Sequence, residues 1–318
     1  MELELTSPAD TPVSIRRMRF SGKGAELGAL WLRSIVLSIL TLGVYRFWGR
    51  VAMRRYLWRH YWVGEDCLAY TGTALELLLG SGKLILVFMV YLGVTLATSH
   101  LSINLGQIIS AALVTGLIPV ATYSTRRYRF ARTRLRNVAF AMGPGLAGFV
   151  RLSLMGTLAS VISLGILSPL YSNYAYAYLL ERTSWGTLRW RYTGDAWHVW
   201  RIWARNSPWI LLSLGIYLPW VTAEAHRYRA QHSRLDGVHL QVDYSGRELA
   251  ELYAGNLLLL LLTLGLALPW VVCRQAAFHA KHLQAVGNLD LASVQRSQVT
   301  GSALLDSMDD ALGGGLEL

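Results

Sequence analysis

The residues best equipped for chemistry in this chain are arginines and histidines set beside tyrosines. Three constellations stand out: Arg54, Arg55 and Tyr56 with His60; Arg126, Arg127 and Tyr128 with Arg132; and His226, Arg227 and Tyr228 with His232. Arg182 and His282 occupy the related places in two further segments. A guanidinium offers a planar fork of donors, so such clusters can hold a phosphate or carboxylate, either free or on an anionic lipid headgroup. The competing reading is a solvated, snorkelling face that only sets topology, because long basic side chains beside a bilayer often do this.

Other chemistry finds little support. His279 and His282 share a helix face at i,i+3 spacing, but a metal site needs a third ligand, and only Cys273 or distant carboxylates are at hand. No metal site and no cofactor are expected. Phosphate loops, dinucleotide fingerprints and zinc-protease motifs are absent, and no strand-turn-helix context frames a nucleophile, so the chain reads as a non-enzyme. Its basic residues are spread along many segments instead of forming one soluble module, which argues against nucleic-acid binding. Two cysteines, Cys67 and Cys273, make no disulfide framework.

The composition points to a membrane. Of 318 residues, 53% are hydrophobic and 15% are charged, where soluble domains carry about 25% charged residues. Mean hydropathy is +0.34, and the net charge of +11 suits anionic lipid. Uncharged runs long enough to cross lie between Arg151 and Glu181, between Arg205 and Glu224, and between Glu251 and Arg274. Leu84 to Thr125 has room for a helical hairpin, and Leu27 to Tyr45 is a weaker span because Arg33 interrupts it. The opening MELELTSPADTPVSIRR is acidic and polar, unlike a signal peptide.

A repeat organises these runs. LTLGVYRFW (Leu40 to Trp48), LSLGIYLPW (Leu212 to Trp220) and LTLGLALPW (Leu262 to Trp270) are versions of one motif, with Gly43, Gly215 and Gly265 at its turn. Pro119, Pro169, Pro219 and Pro269 fall 50 residues apart, and Phe47 takes the proline's place in the first copy. Trp48, Trp220 and Trp270 follow directly, suited to the headgroup level. Nine residues beyond each anchor comes an aromatic (Tyr56, Tyr128, Tyr178, Tyr228, Phe278), and thirteen beyond comes His60, Arg132, Arg182, His232 or His282. Gly64, Gly186, Gly237 and Gly287 then mark turns. The wider step from Phe47 to Pro119 implies 22 extra residues, about one inserted helix. Asn206 and Asn256, and the Tyr-Thr/Ser-Gly triplets at Tyr70, Tyr192 and Tyr244, recur as structural elements.

The expected fold is therefore an all-α, polytopic helical bundle of about five divergent units of ~50 residues plus one inserted helix. Each unit would be an apolar helix, a Leu-Gly and Pro-Trp break, and a basic amphipathic helix. A membrane domain over residues 16–286 would follow a flexible N-terminus (1–15) and precede a flexible acidic tail (287–318), whose charge could pair with the basic face.

The run FSGKGAELGALWLRS, followed by LTLGVYRFWGRVAMRRYLWRHYWVGEDCLAYTGTALELLLG, resembles the opening half-repeat of the YjgN-like family of bacterial inner-membrane proteins of unknown function. HRYRAQH (His226 to His232) and YSGRELAELYAGN (Tyr244 to Asn256) extend the likeness over most of the chain. Departures occur at Ser34, where an asparagine is expected, and around Gly143 and Ser168. The resemblance implies an inner-membrane location and fold, and transfers no catalytic residue.

Sidedness resists simple counting. If each apolar run crosses once, the arginines at 182–205 fall opposite those at 126–136 and 227–234, against the positive-inside rule. Returning segments would keep every basic segment cytoplasmic; inverted units would be the alternative. Two functions remain open: a carrier or pore for a small anionic solute or lipid, and a non-catalytic scaffold or regulator that binds anionic lipid or a partner protein through its basic face.

Overall fold

The structure, a computed structural model, describes residues 15–287, and side-chain burial is not described at 15–17, 81–86 and 101. The N-terminal segment through residue 14 and the acidic tail from residue 288 lie outside the described residues.

Strand β1 (Ile15–Phe20) comes first, and then the order helix, helix, strand, strand recurs. Unit one holds α1 (Gly24–Leu40), α2 (Arg46–His60), β2 (Tyr61–Val63) and β3 (Asp66–Tyr70). Unit two holds α3 (Ala74–Leu101), α4 (Ile103–Ala131), β4 (Thr133–Leu135) and β5 (Val138–Met142). Unit three holds α5 (Leu146–Ile162), α6 (Ser168–Glu181), β6 (Thr183–Trp185) and β7 (Leu188–Tyr192). Unit four holds α7 (Ala196–Leu212), α8 (Leu218–Gln231), β8 (Ser233–Leu235) and β9 (Val238–Val242). The last unit has α9 (Gly246–Leu262), α10 (Leu268–His282) and one strand, β10 (Leu283–Val286).

The ten strands form one closed antiparallel barrel. Within units they make tight hairpins, Leu135 facing Val138, Trp185 facing Leu188 and Leu235 facing Val238. The turn residues Arg136 and Asn137, and Asp236 and Gly237, all have positive φ, the backbone that matches the strand twist in two-residue loops. β1, from the opposite end of the chain, supplies the missing mate of the fifth hairpin: Ile15 faces Val286 on one side and Phe20 faces Tyr61 on the other. Closure removes both sheet edges, so no strand is left to pair with another chain.

Strands such as LRWRY and VHLQV alternate apolar and polar side chains, so each buries one face. Buried Leu135, Trp185 and Leu235 pack with Val63, Leu68, Val138, Phe140, Leu188 and Trp190, a cluster drawn from seven strands. Residues of seven strands in a closed barrel can meet only inside it, so the barrel is filled by side chains. Arg19, Arg189, Arg191 and Arg234 occupy the alternating exposed positions. The helices close a matching ring: α1 packs on α2 and α10, α3 on α2 and α4, α5 on α4 and α6, α7 on α6 and α8, and α9 on α8 and α10.

These findings correct the expected fold. The chain is not an all-α polytopic bundle, because ten strands form a barrel and nine of them follow the basic helices where a simple glycine turn was expected. The strands are only three to six residues long, too short for a period-two pattern to stand out beside long apolar runs. Among the described residues one helix, α4, is long and apolar enough to cross a membrane. The 22 extra residues are not an inserted helix: they lengthen both arms of one hairpin, α3 reaching 28 residues and α4 29, against 17 and 15 for α1 and α2. The prolines do not break apolar helices either. Pro169, Pro219 and Pro269 lie in the first turn of α6, α8 and α10, where the missing N–H costs nothing, and Pro119 sits inside α4.

Candidate functional site

The second helix of each unit runs into its hairpin, so its last turns sit at the mouth of the barrel. There the residues seven and ten positions past each anchor lie one helical turn apart on the same face. The polar ones are Arg54 on α2, Arg126 and Arg129 on α4, Tyr176 on α6, His226 and Arg229 on α8, and His279 on α10, while Leu57, Leu179 and Ala276 fill the remaining three places. Like charges crowd one another here: Arg54 lowers the pKa of Arg129, and Arg229 and His279 that of His226, in each case after burial.

Polar contacts tie this belt to the barrel. Arg54 Nη1 donates to the Tyr70 hydroxyl at 3.3 Å, and the Tyr176 hydroxyl meets the fully buried Ser233 Oγ at 2.9 Å. Arg229 donates through Nε to Asn173 Oδ1 at 3.1 Å and through Nη2 to Ser172 Oγ at 2.9 Å, and its guanidinium lies 5.4 Å from the Tyr176 ring centre. The Tyr244 hydroxyl lies 2.7 Å from His226 Nδ1. Burial, above all, pushes the Tyr192 and Tyr244 hydroxyls up to about 12, so both are protonated donors at neutral pH. Burial first, then Arg229 and His279, holds His226 below its ordinary value, leaving it a neutral acceptor for Tyr244.

The belt is cationic and rich in donors. Among the described residues, five carboxylates pair with arginines other than Arg126 and Arg229: Glu76 with Arg132, Glu224 with Arg205, Asp66 with Arg136, Glu251 with Arg247 and Asp195 with Arg201. Arg126 and Arg229 take no carboxylate there, and the buried Arg126 Nε has no acceptor. A buried N–H without an acceptor is costly, and an anion seated among these groups would satisfy it.

Of the constellations singled out in the sequence, Arg54, Arg126 and His226 enter this belt, and Arg127 stands next to Arg126 on α4. Others hold the fold. Arg55 and Arg227 donate to the carbonyls of Gly72 and Tyr244, each at 3.0 Å, strapping the link into the next unit. His60 and His232 bond through Nδ1 to the carbonyls of Tyr56 and Tyr228 at 2.7 and 2.8 Å. Arg132 pairs with Glu76 at 2.8 Å, Arg182 lies 3.4 Å from the Tyr178 ring centre, and His282 Nδ1 meets Asp243 Oδ1 at 2.7 Å. The four tyrosines nine past an anchor tie down the start of their own unit's first helix: Tyr56 reaches Glu26, Tyr128 reaches Glu76, Tyr178 reaches the Gly145 carbonyl, and Tyr228 takes the Asp195 N–H.

The recurrent asparagines differ. Asn206 donates to Ile202 at 2.7 Å, whereas the buried Asn256 amide has no partner among the described residues. Glu76 and Glu248 close capping boxes with Thr73 and Ser245. Trp220 and Trp270 lie against Gly246 and Gly24, where a Cβ would clash with the indole at 2.5 Å, so they join neighbouring units. Arg129, Arg229 and Tyr176 were not singled out as a site from the sequence, and His279 was considered only as a metal ligand. The signal that reveals them is the register ten past the anchor, read together with seven. No group of three metal-ligating side chains occurs among the described residues.

Fold and site define a protein built as a ring of helical hairpins on a filled, closed barrel, with a cationic belt where the two meet. The chain belongs to the family described as "Bacterial protein of unknown function (DUF898)", whose model matches residues 16–212 and 208–311. It is also similar to the "Inner membrane protein YjgN" of Salmonella typhimurium, 28% identical over 121 residues, which cover 38% of this chain and 30% of that protein. No solved structure matches. The chain is accordingly a bacterial membrane protein of the YjgN-like kind, with inner-membrane location supported by that relative.

Proposed function

We propose that this protein binds a small anion, a phosphate or carboxylate group carried by a solute or by a lipid headgroup, at the belt between helix ring and barrel. The observation that carries the reading is Arg126 and Arg229, held at the barrel mouth with no carboxylate partner among the described residues and, for Arg126 Nε, no acceptor among them. An open pore along the barrel is the weaker form of the idea, since Trp185, Phe140 and Trp190 belong to the cluster that fills the interior. Binding followed by release to the side or to the membrane fits better.

The test is a thermal shift of the purified full chain in neutral detergent, titrated with inorganic phosphate, pyrophosphate or short-chain phosphatidylglycerol. Stabilisation by one of them that is lost in both Arg126→Gln and Arg229→Gln supports the reading. No stabilisation by any, or equal stabilisation of the variants, overturns it. The exposed arginines of the strands, Arg19, Arg189, Arg191 and Arg234, favour as a second reading a scaffold that holds anionic lipid or a partner on the outside of the barrel.

A further inference from the structure

Four of the hairpins end in the same turn, and that turn is unusual in two respects. Its leucine (Leu42, Leu164, Leu214, Leu264) has φ of +49° to +51°, the left-handed region that a leucine normally avoids. The same leucines are 92% to 95% exposed, among the most exposed large apolar side chains described. A soluble protein would be expected to place glycine or asparagine there, with a polar tip. Here strain is accepted in order to present an apolar point, and the flanks continue it: Leu40, Ile162, Leu212 and Leu262 are 73% to 79% exposed.

The N–H groups of the turn are all taken up within it. Gly43, Gly165, Gly215 and Gly265 donate back to Ser38, Ser160, Ile210 and Leu260 at 2.6 to 2.8 Å. One hydroxyl then serves both helices. Thr41, Ser163, Ser213 and Thr263 donate to a carbonyl of the helix that is ending and accept the N–H of Tyr45, Leu167, Tyr217 or Ala267 in the helix that is starting. Internally satisfied donors lower the cost of seating such irregular backbone in hydrocarbon.

Charge and length agree. No Asp, Glu, Lys or Arg occurs in 34–45, 152–180, 206–223 or 252–273. Each first helix of these hairpins has 17 residues, about 25 Å even if fully upright, which is short of the roughly 30 Å hydrocarbon core. Both arms return to strands of one barrel.

We infer that the four Leu-Gly tips are membrane-insertion points, which enter the hydrocarbon from the barrel's side and return without crossing. Lipid acyl chains are the occupant that fits, because the tips are apolar, uncharged, self-bonded and distributed around the ring instead of gathered into one patch. Returning tips also remove the charge contradiction in the sequence, since every basic segment then lies on the barrel's side. The inference is independent of anion binding at the belt.

The test places single cysteines at Leu42, Leu164, Leu214 and Leu264 of the full chain carrying Cys67→Ser and Cys273→Ser, with Asn137→Cys in a barrel turn as the aqueous control. Membranes are probed with an impermeant thiol reagent from each side, and purified variants carrying an environment-sensitive fluorophore are placed in phosphatidylglycerol and phosphatidylethanolamine vesicles. The expected result is that Asn137→Cys labels from one side only, that tip cysteines label from neither side until detergent is added, and that their fluorescence shifts to the blue and is quenched by lipid-borne quenchers. Labelling of tip cysteines from the side opposite Asn137→Cys would show crossing, and labelling from the same side would show water-exposed tips. Either overturns the inference. Leu214→Gly, which keeps the turn's backbone, provides a folded variant that should be quenched less when the fluorophore sits at Ile216→Cys.

Discussion

Arg229 of unit four and Asn173 of unit three meet at 3.1 Å, and the same Asn173 oxygen takes the Tyr192 hydroxyl at 2.9 Å. Asn173 is 1% exposed, so one buried amide orients both a belt cation and a belt donor. The belt is thereby held in place by a residue that would not touch the ligand itself.

Asn173→Leu should therefore be costly. Loss of a buried acceptor facing a charged donor amounts to about 2–3 kcal/mol, read as a lower melting temperature in detergent. Asn173→Asp should retain most of the stability, because a carboxylate still accepts from Arg229, yet it should weaken anion binding by neutralising the belt. Unchanged anion affinity in Asn173→Asp would count against the proposed site.

The Leu-Gly turn separates stability from membrane insertion. Leu214→Gly should stabilise the detergent-solubilised fold by up to about 1 kcal/mol, since glycine carries no left-handed penalty. Gly215→Ala, at φ +89°, should destabilise by roughly 1–2 kcal/mol. Melting curves of the two variants should move in opposite directions.

Protonation of His226 should favour the bound state. Its folded pKa lies below 6.5, through burial and then the charges of Arg229 and His279; the unfolded chain thus takes up its proton first. Stability from this group is present above about pH 6.5 and is lost as pH falls through the folded value. An anion beside His226 raises that value, so binding should tighten as pH drops below about 6.5. Titration by calorimetry at several pH values checks this, and His226→Gln should flatten the dependence while Tyr244 keeps its neighbours on α10.

Barrel closure rests on β1. Removal of residues through Phe20 leaves β10 and β2 without their shared partner and exposes two edges. Self-association and rapid proteolysis of β2 and β10 are expected, seen by size-exclusion chromatography and limited digestion. A truncated chain that stays monodisperse and protease-resistant would show that the ring holds without its closing strand.

Much of this protein was legible in the residues themselves. Apolar runs, the 50-residue register and the Leu-Gly motif located the helices and the breaks between them, because hydrophobic period and turn chemistry are local properties, while the folding back of each pair as a hairpin was expected only over Leu84 to Thr125. Membrane affinity followed from composition in the same way. The belt was half visible: Arg54 and Arg126 fell in conspicuous arginine clusters, while Arg229 and His279 looked like ordinary basic residues of amphipathic helices. Only the tertiary structure decided that four short hairpins and β10 join β1 into a barrel, since strands of three to six residues carry too little pattern to announce pairing with partners far along the chain. Only it decided which cations face inward. Helix ends point where packing against the barrel directs them, and that direction depends on contacts such as Tyr176 with Ser233, separated by 57 residues in the chain.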